Sequence, residues 1–145
     1  MNVFLDTSVL VAASVESHVH YPQAILALRR LSSGEDRGFI SAHSLAETYS
    51  TLTSLPLKPR IHPSEAARII EAGILPHVEV VSLEKSDYVE TVRRLATGGW
   101  AGAKIYDALL LRCAARRPVE RIYTFNVGEF RRLAPAGLQE KICAP

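Results

Sequence analysis

Residues 3–10 read VFLDTSVL, and this stretch decides the fold. Val3, Phe4 and Leu5 are the residue types of a short buried strand. Asp6 ends that run, because the middle of a buried strand does not tolerate an unpaired charge. Thr7 and Ser8 are good N-cap residues for a helix over the apolar residues that follow. The stretch therefore predicts a strand that passes directly into a helix, with a carboxylate at the junction.

Asp6 has two interpretations. A single aspartate at the end of a strand most often caps or starts the next helix. In α/β proteins, however, ligands bind at the carboxyl ends of the strands. The choice depends on whether other polar side chains are expected to meet Asp6.

The composition is that of an ordinary globular protein. The chain has 145 residues, 48% of them hydrophobic and 22% charged, so we expect one domain over residues 1–145 with a real core. The net charge of +2 permits a nucleic-acid partner without requiring one. Cys113 and Cys143 lack metal-ligand spacing, and a buried thiol is expected at Cys113. No signal peptide or membrane-spanning run is visible, so we expect a cytoplasmic protein with no membrane partner.

Strand and helix patterns alternate along the chain, which is typical of a parallel sheet covered by helices on both faces. Strands are predicted at about residues 2–5, 38–40, 78–81 and 121–124, with a possible edge strand within 139–143. Helices are predicted after Asp6 and at about 22–31, 41–54, from 63, 85–96, 106–117 and 127–133. Residues 98–103, GGWAGA, form a glycine-rich loop. The pattern predicts an α/β fold.

Glu47 lies in the predicted helix over residues 41–54, which Ser41 can cap. The apolar side of that helix is predicted to be Leu45, Tyr49 and Leu52, and Glu47 falls on the other side. Alone, it would belong to a solvated helix face. The polar side is otherwise uncharged, which makes Glu47 a candidate partner for Asp6.

Asp107 begins a helix whose buried side is predicted from Leu110, Leu111 and Ala114, at the positions three, four and seven residues later. A carboxylate at a helix N-terminus is favoured by the helix dipole and needs no further role. Asp107 is also aligned with the buried side of its helix and follows a glycine-rich loop, which suits a functional residue. The helix predicted at 85–96 places Val89, Val92, Leu95 and Ala96 on one apolar face.

Asn126 closes the predicted fourth strand much as Asp6 closes the first. Asparagine is common in turns and at N-caps. If these two strands are neighbours, however, both side chains face the crevice where the strand order reverses. Oxygen atoms from two strand ends and two helices would then meet at one place.

Four segments carry a resemblance to a known family: LDTSVL (5–10), SLAETYSTL (44–52), GGWAGAKIYDALLL (98–111) and YTFNVGEFRRLAP (123–135). Together they resemble PIN-domain nucleases, most of all the VapC-type toxins of bacterial and archaeal toxin–antitoxin pairs. The resemblance implies a three-layer α/β/α fold with strand order 3-2-1-4-5, a carboxylate cluster that binds Mg²⁺ or Mn²⁺, and RNA cleavage. Carried over by position, Asp6, Glu47 and Asp107 are the acidic ligands.

The resemblance also implies supporting residues and partners. Thr7 or Ser8 and Thr124 occupy the hydroxyl positions that support such a site. Asn126 stands where many relatives have a fourth acid, and Glu129, one helical turn further on, could partly replace it. The implied partners are a cognate VapB-type antitoxin and a second copy of the chain, which would pack through helices near residues 22–54.

Oxygen ligands suit this chemistry, because hard divalent cations prefer them and can activate water and neutralise a phosphate. Five histidines, at positions 18, 20, 43, 62 and 77, lack ligand spacing and are interpreted as surface or structural residues. Six basic residues could follow an RNA backbone: Lys104, Arg112, Arg116, Arg117, Arg131 and Arg132.

Two other function classes compete with this hypothesis. An aspartyl-phosphate hydrolase also begins with an aspartate after the first strand, but needs a second acid at the position of Ser8. A PIN-like module that binds RNA or protein without cutting is the stronger alternative, because Asn126 replaces an acid. Metal-dependent cleavage would separate this alternative from the nuclease.

Overall fold

The computed structural model describes residues Met1–Pro145 and is built on a five-stranded parallel sheet. All neighbouring strands are parallel, and their spatial order is 3-2-1-4-5. This confirms the predicted α/β/α fold and its strand order. The strands are β1 (Asn2–Leu5), β2 (Arg37–Ser41), β3 (Val78–Val81), β4 (Arg121–Tyr123) and β5 (Ile142–Cys143).

Helices cover the sheet and connect its strands, in agreement with the predicted alternation. They are α1 (Thr7–Ser14), α2 (Tyr21–Ser32), α3 (Ala42–Ser54), α4 (Pro63–Arg68), α5 (Lys85–Gly98), α6 (Lys104–Ala115) and α7 (Val127–Leu133). A turn of π-helix (Ile69–Ile74) extends α4, and short 3-10 turns (Leu75–His77 and Gln139–Lys141) precede β3 and β5. No helix is both long enough and apolar enough to cross a bilayer.

Side chains of β1 alternate between two hydrophobic cores, which explains its continuous apolar sequence. Phe4 packs with residues of α6 and α7 on one face of the sheet. Val3 and Leu5 pack with α1 and α2 on the other face. The sheet is therefore the middle of three layers. Cys113 is buried and free, as expected.

β1 and β4 lie side by side, as the site hypothesis required. Leu5 pairs with Tyr123, and the N–H of Asp6 donates to the carbonyl of Tyr123 at 2.9 Å. Asp6 and Thr124 consequently leave the sheet together at its carboxyl edge. This edge is the expected ligand-binding position in a parallel α/β sheet.

The start of α3 is as predicted, but its buried side is not. Ser41 is the N-cap, and its Oγ accepts a hydrogen bond from the N–H of Ser44. The buried residues are Ser44, Thr48 and Leu52, whereas Tyr49 is 42% exposed. Ser44 and Thr48 have small side chains, which let α3 pack closely against its neighbours. The buried side of α3 is therefore polar at these two positions.

The apolar face predicted for α5 is likewise not its buried side, apart from Leu95. Its buried residues are Asp87, Thr91 and Leu95, while Val89 and Val92 are exposed. Asp87 can be buried because Arg112 and Arg116 of α6 donate to its Oδ1 at 2.9 and 2.7 Å. A partner on another helix therefore reverses the orientation that the apolar pattern predicted.

Candidate active site

Asp6 is a buried carboxylate held by hydroxyl groups from two elements. Ser8 Oγ and Thr124 Oγ1 both donate to its Oδ2, at 2.6 and 2.9 Å. Asp6, and not Thr7 or Ser8, occupies the N-cap position of α1, and its side chain makes no capping hydrogen bond. Burial raises the pKa of Asp6 despite these two donors. Its carboxylate is thus held by the end of β4 and the start of α1.

The supporting hydroxyls also fix the chain that follows β4. The N–H of Asn126 donates to Thr124 Oγ1 at 3.0 Å, and the N–H of Phe125 donates to Ser8 Oγ at 3.3 Å. Thr7 differs, because its Oγ1 is buried without a hydrogen-bond partner. The structure therefore places Ser8 and Thr124 against Asp6 and leaves Thr7 with a free hydroxyl.

Glu47 lies on α3 at the margin of the buried side, with 37% of its side chain exposed. Burial raises its pKa, and the nearby charge of Asp6 raises it further. His43, one turn earlier on α3, has its Nε2 at 3.5 Å from Glu47 Oε1. Glu47 therefore shares a cavity with Asp6, the residue that follows β1.

Asp107 lies in the first turn of α6, above a buried side that includes the predicted Leu110, Leu111 and Ala114. Its pKa is raised to about 7, first by burial and then by the charges of Asp6, Glu129 and Glu47. The predicted acids therefore lie close enough to repel one another. Asp6, Glu47, Asp107 and Asn126 line one cavity of about 610 Å³.

Asn126 and Glu129 form a separate pair at the rim of this cavity. Asn126 Nδ2 donates to Glu129 Oε2 at 3.0 Å, and Lys104 Nζ donates to the other carboxylate oxygen. The hydrogen bond from Lys104 lowers the pKa of Glu129. Asn126 is the N-cap residue of α7, but its side chain makes no capping bond. Glu129 is therefore already neutralised by a cation of the chain itself.

The chemistry of the donors fits a hard divalent cation. The three acids supply oxygen ligands only, and their mutual repulsion is what a cation would relieve. The unpartnered hydroxyl of Thr7 lies in the same cavity. As the side chains stand, no group of three or more His, Cys, Asp or Glu residues could hold a metal ion. Joint coordination thus requires the carboxylates to move towards one another.

Two histidines line this cavity and a third, His43, lies beside Glu47, although no spacing in the sequence predicted these positions. His18 and His20 line it, and the His20 ring stacks on Phe125 with centroids 4.1 Å apart. His43 stacks on Tyr106 at 4.9 Å. The interpretation of these histidines as surface or structural residues did not place them near the acids. The ring contacts join positions far apart in the chain, so no local spacing reveals them.

Most of the basic residues proposed for RNA contacts are engaged elsewhere. Arg112 and Arg116 bind Asp87, and Arg117 binds Glu79. Arg131 donates to a backbone carbonyl, that of Ile142. Of the six, Lys104 is the one that lines a cavity with the acids.

Comparisons with known proteins agree with this architecture. The model of the PIN domain family matches residues 3–135. Ribonuclease VapC27 of Mycobacterium tuberculosis is 29% identical over 116 residues, which cover 80% of this chain and 79% of that protein.

Two solved structures share the fold along nearly the whole chain. VapC20 of M. tuberculosis, a toxin that cleaves the sarcin-ricin loop, has a TM-score of 0.71 and 21% identity, with 99% of both chains covered. VapBC2 of Rickettsia felis, bound to a DNA fragment from its promoter, has a TM-score of 0.66 and 19% identity. That match covers 99% of this chain and 98% of the solved one.

Proposed function

Because this chain belongs to the PIN domain family, we propose that it is a metal-dependent endoribonuclease and the toxin of a toxin–antitoxin pair. The observation that carries the proposal is the meeting of Asp6, Glu47 and Asp107 in one cavity at the carboxyl edge of the sheet. The similarity to a ribonuclease over four-fifths of the chain supports RNA as the substrate. An RNA substrate also implies that the protein acts in the cytoplasm.

The proposed cofactor is Mg²⁺ or Mn²⁺, held by Asp6, Glu47 and Asp107, with Asn126 as a weaker, uncharged ligand. When bound, the cation supplies positive charge that neutralises the scissile phosphate and activates a water molecule. Ser8 and Thr124 both use Oδ2 of Asp6, which leaves Oδ1 available as a ligand. These two hydroxyls act as positioning groups.

The acids also determine how cation binding and cleavage depend on pH. Asp107 in the metal-free protein holds a proton on its carboxyl group below about pH 7. A nearby cation favours the ionised form of a carboxylate. Binding of the cation therefore competes with protonation of Asp107, and cleavage should decline as the pH falls below neutrality.

RNA cleavage by the purified protein tests the proposal. A mixed-sequence RNA should be cut in the presence of Mg²⁺ or Mn²⁺, and EDTA should stop the reaction. Asp6→Asn should abolish cleavage, whereas Glu71→Gln, which changes an exposed acid of the π-helical turn, should not. Cleavage that persists unchanged in EDTA would overturn the proposed mechanism.

A binding module without catalysis is the second candidate function, and Asn126 favours it. The residue supplies no negative charge, and its amide is engaged with Glu129. Such a module would bind RNA with or without the cation and release no product. Product formation that depends on the cation and on Asp107 excludes it.

The proposed antitoxin would reach the same acids. A cavity whose carboxylates raise one another's pKa has the electrostatic field to receive a guanidinium or ammonium group. We expect the C-terminal segment of a VapB-type partner to insert an Arg or Lys side chain among Asp6, Glu47 and Asp107 and to displace the cation. A complex whose antitoxin tail binds elsewhere and leaves the cation in place would contradict this.

A further inference from the structure

Two of the three acids stand on different helices, Glu47 on α3 and Asp107 on α6. Both line two cavities, of about 610 and 420 Å³, so each carboxylate borders open space. Asp6 differs, because Ser8 and Thr124 donate hydrogen bonds to it. The position of Glu47 relative to Asp107 therefore depends on whatever connects α3 to α6 beside these cavities.

His43 makes such a connection. It lies one helical turn before Glu47 on α3, and its Nε2 is 3.5 Å from Glu47 Oε1. The ring also stacks on Tyr106 of α6, with centroids 4.9 Å apart and an interplanar angle of 7°. Tyr106 immediately precedes Asp107 in the chain. One imidazole ring therefore links the acid of α3 to the residue beside the acid of α6.

The ring stack lies where α3 and α6 are loosely packed. His43 lines a small cavity together with Leu109 and Cys113 of α6. Tyr106 lines the cavity of about 420 Å³ on the side of the acids. Close packing of the two helices is thus interrupted next to each ring, so the stack itself is a main constraint on their relative position here.

The exposure of the two rings suits a polar role better than a core role. The side chain of His43 is 38% exposed, and Tyr106 is 46% exposed. Burial raises the pKa of Glu47, and the nearby charge of His43 opposes that rise. In metal sites, groups that contact the ligating side chains orient them and are needed for tight binding of the metal. His43 has the contact to Glu47 that such a group requires.

We propose that His43 is a positioning residue that holds Glu47 for the cation, and that Tyr106 fixes the orientation of the His43 ring. The inference rests on the proposed metal-dependent function and adds two residues outside its ligand set. The distance of 3.5 Å is longer than a direct hydrogen bond, so the contact should shorten when the carboxylates approach one another around the cation. The ring, held by Tyr106, limits the positions that Glu47 can take.

The Mn²⁺ affinity of ring variants tests this inference. His43→Phe keeps a ring that can stack on Tyr106 but removes the nitrogen beside Glu47. Calorimetric titration with Mn²⁺ should show an affinity roughly ten-fold below that of the wild-type protein, while the melting temperature in EDTA stays unchanged. If the His43 ring served packing alone, His43→Phe would keep both the affinity and the melting temperature.

Tyr106→Ala tests the second part of the inference. Without the Tyr106 ring the imidazole is free to rotate away from Glu47, so Mn²⁺ affinity should fall several-fold. In the His43→Phe protein the same substitution should add little to the loss, because the nitrogen that Tyr106 orients is already absent.

Two matched variants serve as controls. His77 lines a different cavity, beside Asp36 and Glu79, so His77→Phe should bind Mn²⁺ as tightly as the wild-type protein. Tyr49 is on α3 and 42% exposed, close to the value for Tyr106, and it lines neither cavity of the acids. Tyr49→Ala should also leave Mn²⁺ affinity unchanged.

The outcomes separate this inference from the proposed function. Wild-type Mn²⁺ affinity in His43→Phe, or losses that simply add in the double variant, would overturn the inference even if the protein cleaves RNA. Losses of affinity that only follow losses of melting temperature would indicate a packing role and would overturn it as well. Affinity that depends on His43 in a protein that cuts no RNA would support it and overturn the proposed nuclease. Absence of Mn²⁺ binding by the wild-type protein would overturn both.

Discussion

Asp107 makes the stability of the metal-free protein depend on pH. Its pKa is about 7 in the fold, because of burial and the neighbouring acids, against about 3.9 in an unfolded chain. The folded state therefore binds more protons between these values, and the free energy of unfolding falls as the pH rises from about 4 to about 7. This loss reaches its full extent above about pH 7.

Asp107→Asn should remove this pH dependence. We expect the variant in EDTA to melt a few degrees above the wild-type protein near pH 8, with a difference that shrinks towards pH 4. The same variant should lose RNA cleavage at every pH. Melting curves across this range, measured in EDTA, check the first effect. Identical curves for both proteins would mean that Asp107 is not repelled by the other acids.

Asn126→Asp should strengthen metal binding and weaken the metal-free fold. A carboxylate in place of the amide adds a charged ligand, but it also replaces the group that donates to Glu129 at 3.0 Å with a like charge. We expect Mn²⁺ affinity to rise on the order of ten-fold while the melting temperature in EDTA falls. Calorimetric titration with Mn²⁺ and melting curves with and without the cation measure both effects.

Asn126→Ala is the control for this exchange. It removes the bond to Glu129 without adding charge, so metal affinity should fall and the metal-free fold should lose little stability. If Asn126→Asp changes neither quantity, the residue lies outside the metal site, and Glu129 becomes the next position to substitute.

At the scale of single residues, the polar groups at strand ends were predictable and their ring neighbours were not. Asp6 and Asn126 break buried strands, and a break of this kind is visible in the sequence. The stack of His20 on Phe125 joins the start of α2 to the segment that follows β4. No periodicity or local spacing encodes such a contact. The acids were therefore found and the ring contacts were missed.

Asp87 of α5 contacts the backbone of Glu84 and two arginines of α6, and these contacts stabilise the fold. Its Oδ2 accepts from the N–H of Glu84, which closes a capping box, and its Oδ1 accepts from Arg112 and Arg116. The backbone bond and the two guanidinium groups hold its pKa at about 2. A lowered pKa stabilises the fold above the unfolded value of about 3.9, and this stabilisation is lost as the pH falls towards 2.

Asp87→Ala should lower the melting temperature at neutral pH by several degrees, because it removes the cap, leaves Arg116 without its acid and leaves Arg112 with Glu90 alone. The difference from wild type should shrink as the pH falls towards 2. Glu90→Ala, which removes the exposed acid that also contacts Arg112, should change the melting temperature little. Thermal melts at both pH values measure these effects. A loss for Glu90→Ala equal to that for Asp87→Ala would contradict the role of burial.

At the scale of elements, the existence and order of helices and strands followed from the sequence, while their orientation followed only in part. α7 begins and ends at the predicted residues, Val127 and Leu133. α5 is rotated from its predicted orientation, since Asp87 is buried and Val92 is exposed. An apolar pattern predicts the buried side of a helix only when no charged residue of that helix has a partner in the protein interior. The guanidinium groups that pair with Asp87 lie about 25 residues later, so the local pattern could not show them.

At the scale of the whole molecule, the carboxyl edge of the sheet collects negative charge on a chain whose net charge is +2. Asp6 follows β1, Glu47 lies in α3 and Asp107 lies in the first turn of α6, whereas Arg112, Arg116 and Arg117 pair with acids outside this cavity. We therefore expect a cation from solution or from a protein partner to bind at this edge of the sheet. The same arrangement disfavours approach of RNA without a cation, which ties substrate binding to the cofactor in the proposed mechanism.

The proposed homodimer can be tested with a matched pair of variants, at two apolar residues that lie on different helices and have nearly equal exposure. Leu26 on α2 is 58% exposed and lies on the side proposed for self-association, while Val92 on α5 is 56% exposed and lies on another helix. Leu26→Glu should convert dimers to monomers, because a charge buried at an interface without a partner opposes association. Val92→Glu should leave the dimer intact. Sedimentation or light scattering over a range of concentrations measures both variants. A monomeric wild-type protein, or dissociation caused by Val92→Glu instead, would show that α2 does not form the interface.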